Sequence, residues 1–138
     1  MSGSAQFRGT AAEIASLKVG DELFNFDGNR REYMRDERNL RCGAPIYEKH
    51  FRADRIEGET SKSWIVGPHK AKVNKKTLET SLHYADRGYF TRSAMDADIW
   101  TQNNRYEIVR LVECAGVEHL KEIARILGYR ETAKGEKE

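Results

Sequence analysis

A chain of 138 residues, 38% hydrophobic and 33% charged, suits one compact domain or a small barrel with a helical appendage, and buries roughly two-thirds of its unfolded surface. A mean hydropathy of −0.78 is polar but too rich in branched and aromatic residues for disorder; no apolar run approaches the ~20 residues of a membrane span, and Cys42 and Cys114 lack the spacing of a disulfide framework or zinc knuckle. The net charge of +2 divides unevenly: residues 1 to 29 and 93 to 138 each carry −2, whereas residues 30 to 92 hold fifteen Lys/Arg against nine Asp/Glu, a local +6.

Residues 1 to 18 read as a leader and a short helix, with Thr10 capping Ala11 to Leu17. Val19-Gly20-Asp21 turns the chain into a strand, Glu22 to Phe26, whose alternation places Phe24 and Phe26 on one face. Asp27-Gly28 tolerates positive φ and predicts a tight hairpin with Arg30 to Met34 returning. Asp36 to Gly43 is a polar, Arg-rich stretch and reads as an exposed loop. Ile46 to Phe51 alternates as a third strand, continuing to Ile56 before a turn at Glu57-Gly58-Glu59. Ser61 to Val66, stopped by Gly67-Pro68, and Ala71 to Val73 complete five strands, so residues 19 to 76 predict a half-open antiparallel barrel.

The pattern then becomes helical, and residues 77 to 129 read as a helical unit packed on the barrel. Leu78 and Leu82 share a stripe in a helix over Thr77 to Ala85, and Gly88 to Thr91 is a connector or an edge strand. Ser93 to Asp96 resembles a capping box that opens a helix through Ile99 and Trp100, with Asn103-Asn104 as a break. Tyr106, Val109 and Val112, and then Leu120, Ile123, Ala124 and Leu127, repeat the apolar period on two helices stopped by Gly116 and Gly128, a helical hairpin. Residues 130 to 138 read as a flexible charged tail.

The basic middle carries the functional signal. Phosphate binding needs several cations within reach of one backbone, and base stacking on an aromatic ring adds roughly 1 to 3 kcal/mol. Candidates are Arg30, Arg31 and Arg35, Lys49 and Arg52, Lys62, and the run Lys70, Lys72, Lys75 and Lys76, with Tyr33, Tyr47 and Trp64 as stacking platforms. The competing reading makes them solvated cations neutralised by Glu32, Glu48, Asp54 and Glu57, with the aromatics in the core. The last helix lacks a following recognition helix, since Arg130 to Glu138 offers only Ala133 as an apolar residue, so helix-turn-helix recognition is not expected. His50, His69, His83 and His119 share no metal-ligand spacing with one another or with the cysteines. No nucleophile elbow or phosphate loop is present, and neither an enzyme nor a cofactor is expected.

The stretch from Leu17 to Phe24, through Ile46 and Tyr47, to Glu59 to Val66 and Lys70 to Lys76 resembles small uncharacterised bacteriophage and prophage proteins. It also looks like the start of SH3-like barrels, in which a Val-Gly-Asp turn feeds the first strand. The resemblance spans about half to two-thirds of the chain and implies small accessory roles in nucleic-acid handling or in blocking a host protein, for example an antiviral defence component or a CRISPR effector. The reading is therefore an α+β protein, a five-stranded SH3-like barrel with a C-terminal helical hairpin, that is cytoplasmic and does not engage the membrane. Its basic face binds nucleic acid or, alternatively, an acidic host protein as an inhibitor or adaptor.

Overall fold

A computed structural model describes residues 7–80 and 88–130, and its contacts divide the chain into a unit from Met1 to Asn103 and a second from Asn104 to Glu138. In the first unit, helix α1 (Ala11–Ala15) is capped by Thr10, whose hydroxyl accepts the Glu13 amide at 3.1 Å. Four antiparallel strands follow in the order β1 (Glu22–Phe26), β4 (Phe51–Glu59), β5 (Ser63–Val66) and β6 (Ala71–Asn74). A separate two-stranded sheet pairs β2 (Met34–Arg35) with β3 (Arg41–Cys42). The fold class is α+β, built on a curled antiparallel sheet. Isolated bridges from Val73 to Thr80, Glu79 to Gly88 and Phe90 to Phe24 connect its two outer strands.

The expected five-stranded order changes because β1 pairs with β4 instead of with Arg30 to Met34. Asp27 does turn the chain, its carboxylate accepting the Asn29 amide at 3.0 Å and its carbonyl the Arg30 amide at 3.1 Å. Arg30 to Glu32 offers no apolar alternation to cover a core, whereas Phe51 opposite Phe26 does, so β4 takes the position. The expected strand over Ile46 to His50 is a 3₁₀ turn, Tyr47–His50. It folds Tyr47 and His50 back onto Phe26, with ring centroids at 5.5 and 5.0 Å, and the strand begins only at Phe51. It runs through Glu57 and Gly58, where a bulge absorbs the expected turn.

Strand alternation divides the apolar residues between two cores. Leu23, Ile56, Trp64, Val66, Val73, Leu78 and Tyr89 fill the first. Phe24, Phe51 and Phe90 pack with Ala94 and Met95 in the second. Ala94 and Met95 belong to α2 (Arg92–Glu113), and the expected cap Ser93 is not its cap: Thr91 receives the Ala94 amide at 3.3 Å, while Ser93 hydrogen-bonds Glu13. The expected break at Asn103-Asn104 is absent, because α2 continues through both residues. A helix over Thr77 to Ala85 is ruled out for its described part. Leu78 has φ +61° and is fully buried, and Glu79 and Thr80 make bridges; the remainder of that stretch, and the expected tail from Glu131, lie outside the described residues.

Two tyrosines, Tyr89 buried and Tyr47 half-buried, tie this unit together. The Tyr47 hydroxyl donates to Asp98 at 2.5 Å and that of Tyr89 to Asp54 at 2.9 Å. Burial first, and the facing carboxylate second, push both phenols above their ordinary range. A folded pKa raised above the unfolded value of about 10 means the stability these groups contribute is intact below about pH 10 and is lost as pH rises through the folded pKa. The urea midpoint is therefore expected to fall between about pH 9 and pH 11, and to fall less in the Tyr47→Phe/Tyr89→Phe protein. Equal alkaline slopes for the two proteins would count against this coupling.

In the second unit, the end of α2 is followed by α3 (Val117–Leu127), which is closed by Gly128 at φ +73° as its sequence predicts. Gly116 sits at the start of α3, not at the end of a helix. Among the described residues no helix is long and apolar enough to cross a membrane.

Candidate nucleic-acid interface

Between β1 and the 3₁₀ turn, the chain builds a cleft of about 480 Å³ lined by Asn29, Arg31, Glu32, Tyr33, Arg35 and Arg41. Its walls follow from two aspartate turns. The Asp27 turn sets the near wall, where the Arg31 side chain donates to the Gly28 carbonyl at 3.2 Å. Arg30, just outside the cleft, donates to the Phe51 carbonyl at 2.9 Å, and its own carbonyl accepts from the His50 ring at 2.8 Å.

The β2–β3 hairpin sets the far wall. The Asp36 carboxylate accepts the amides of Arg38 and Leu40 at 2.8 and 2.9 Å, and Asn39 takes φ +64° to close the turn. Asp36 Oδ1 is thus engaged by backbone, and among the described residues no ion pair joins this carboxylate to the surrounding guanidinium groups. Arg35 donates to the Asn39 carbonyl at 3.1 Å, and Arg41 lies over the Tyr33 ring at 4.5 Å from its centroid.

Arg35 and Arg41 are direct cross-strand partners. Like charges in that position destabilise a strand pair by a fraction of a kcal/mol to about 1 kcal/mol, and a two-stranded hairpin has little stability to spare. Among the described residues none of Arg31, Arg35 and Arg41 forms an ion pair with a carboxylate. With Glu32 the one carboxylate in the lining against three arginines, the cleft keeps an excess of positive charge that an anion would relieve.

The remaining sequence-predicted residues are distributed elsewhere. Arg52 is half-buried and paired with Asp27 and Asp54 at 3.5 and 3.4 Å. Lys75 pairs with Glu59 at 2.6 Å and lies over the Trp64 ring at 4.6 Å. Its amide donates to the Lys62 carbonyl at 3.0 Å, so Lys62, Lys75 and Lys76 share the C-terminal end of β4. The cleft lies beyond the other end, and nine extended residues at about 3.3 Å each place the two groups on the order of 25 Å apart. Lys49 is exposed on the 3₁₀ turn, Lys70 in the β5–β6 turn at φ +55°, and Lys72 on the outer face of β6.

Of the expected stacking platforms, Trp64 is core at 6% exposure, and Tyr47 is half-buried with its hydroxyl engaged by Asp98; Tyr33 alone lines the cleft. Sequence reasoning missed Arg41. The available signal was its separation from Arg35 by Asp36 to Leu40, a segment with the Asp and Asn of a tight hairpin. Comparison of the chain with family models, curated proteins and solved structures gives no match.

Proposed function

We propose that this protein is a non-enzymatic binding module that holds the phosphate backbone of a nucleic acid in the Arg31/Arg35/Arg41 cleft, with Tyr33 offering a ring edge or face beside it. The curled sheet supports reading its scaffold as an SH3-like barrel variant, with the β2–β3 hairpin as the binding loop. The observation that carries the proposal is the placement of Arg35 opposite Arg41 with no carboxylate paired to either among the described residues. All three arginines are exposed, so their replacement leaves both cores intact.

The Arg31→Glu/Arg35→Glu/Arg41→Glu protein should keep its unfolding midpoint and lose about 100-fold or more in affinity for mixed DNA and RNA oligonucleotides, read by fluorescence anisotropy at low salt. With about three phosphates neutralised, the wild-type log affinity should fall against log salt with a slope of roughly −2 to −3. Absence of wild-type binding at low salt would reject the proposal, and so would an unchanged affinity in the triple variant.

A second reading is favoured by Met34 and Leu40, which are 62% and 54% exposed on the same hairpin. Apolar side chains rimmed by arginines suit an acidic protein surface, as an inhibitor or adaptor acting on a host protein requires. A complex recovered from host lysate that survives nuclease treatment and is lost in the Met34→Asp protein would replace the first reading with this one.

A further inference from the structure

The unit from Asn104 to Arg130 leaves its apolar stripes uncovered. Leu120, Ile123, Ala124 and Leu127 follow the i, i+3, i+4, i+7 spacing of a buried helix face, yet Leu120 is 41% and Leu127 76% exposed, and no residue of the described part of this unit is buried. On the end of α2, Ile108, Leu111, Val112 and Ala115 repeat that spacing, and with Ile123 they line an apolar groove of about 370 Å³ between the two helices. Nine large apolar side chains here are at least 41% exposed, Tyr106, Val117 and Tyr129 among them. At eleven residues, α3 is shorter than the ~12 to 15 that an isolated helix needs for even marginal stability in water. Two helices that half-bury Val112, Ala115, Ile123 and Ala124 but fully bury no residue call for a further layer.

We propose that this layer is the same unit of a second copy of the chain, the two hairpins packing as a four-helix core. Charge selects the occupant. Between Asn104 and Arg130 there are five Lys/Arg against four Asp/Glu, and Glu107 with Arg110 and Glu122 with Arg125 pair within their own helices. A strongly acidic or basic partner finds little to complement, whereas a second copy meets no net repulsion. A two-fold interface requires one patch to be complementary to itself, and the apolar stripes of α2 and α3 offer such a patch on every copy. Of the polar positions of α3, Glu118, Lys121 and Arg125 fall on the face opposite the stripe and stay in solvent, while Glu122 stands at the edge of the groove.

Sedimentation equilibrium of the nuclease-treated full chain, from about 1 to 100 µM, tests this. The mass should rise with concentration from 15.9 kDa to twice that value. The Leu120→Glu/Leu127→Glu protein should associate at least about 100-fold more weakly, and a Lys121→Glu control should associate like wild type. Amide exchange of Val117 to Leu127 in the wild-type chain should slow as concentration rises, a readout that does not depend on how any variant folds. A wild-type chain that stays at 15.9 kDa throughout would overturn the proposal. So would a dimer indifferent to the double substitution, or exchange in α3 that is independent of concentration.

Discussion

Replacing Trp64 by alanine is expected to lower the unfolding free energy by about 3 to 5 kcal/mol, much of the 5 to 15 kcal/mol that a domain of this size possesses. The indole is 6% exposed and sits among Leu23, Ile56, Val66 and Val73, on strands fixed by their pairings, and Leu78 and Tyr89, so the cavity left behind does not collapse readily. Chemical denaturation followed by tyrosine fluorescence or far-UV dichroism measures the loss. Trp64→Phe separates packing from polarity. The indole Nε1 is buried without a hydrogen-bond partner among the described residues, so phenylalanine forfeits no such bond and should cost less than half as much as alanine. Oligonucleotide affinity should be unchanged in Trp64→Phe. A loss of binding at full stability would return Trp64 to the site.

The second large effect belongs to Gly88. Its φ of +150° lies where side chains are rarely tolerated, and a Cβ there would stand 2.6 Å from the Leu78 carbonyl oxygen and 3.0 Å from the Arg8 guanidinium carbon. The Leu78 carbonyl is held in place by the Tyr89 amide at 2.9 Å, and Leu78 itself is fully buried, so the obstacle does not move aside. Gly88→Ala should therefore cost about 3 kcal/mol or more, combining backbone strain with displaced main chain. That corresponds to a fall of roughly 10 to 20 °C in melting temperature. Gly43→Ala is the matched comparison, with φ +70° and nothing within 4 Å of its Cβ, so it carries strain alone. Equal melting temperatures for the two variants would show that the contact with Leu78 does not matter.

The elements that sequence reasoning placed well are those whose local and tertiary preferences agree. Strand β1 alternates and faces two cores, β5 and β6 are bounded by Gly67-Pro68, α1 has a Thr cap, and α3 ends at a glycine in the left-handed region. The differences arise where a distant partner decided the outcome. Asp27-Gly28 is a sound turn signal, but which strand pairs with β1 depends on Phe51, twenty-five residues beyond Phe26. Ile46 to His50 alternates like a strand, yet Tyr47 gains more from packing on Phe26 and bonding Asp98 than from joining a sheet. Leu78 takes a left-handed backbone that no propensity rewards, in exchange for a fully buried side chain.

The cleft was legible in part. Arg31, Tyr33 and Arg35 stand out in the basic stretch, whereas the contribution of Arg41 depends on a five-residue turn that only the capping by Asp36 makes explicit. The lysines in and around the β5–β6 hairpin looked continuous with the arginines because a sequence records their order and not their separation along β4.

The bridges through Thr80, Gly88 and Phe90 have a consequence for how the molecule behaves in a crowd. Each outermost strand already has a rung taken near its middle by the chain's own backbone, β1 at Phe24 and β6 at Val73. A stray peptide or a misfolded neighbour that tries to lengthen this sheet meets an occupied rung on either flank, which works against runaway fibrous stacking.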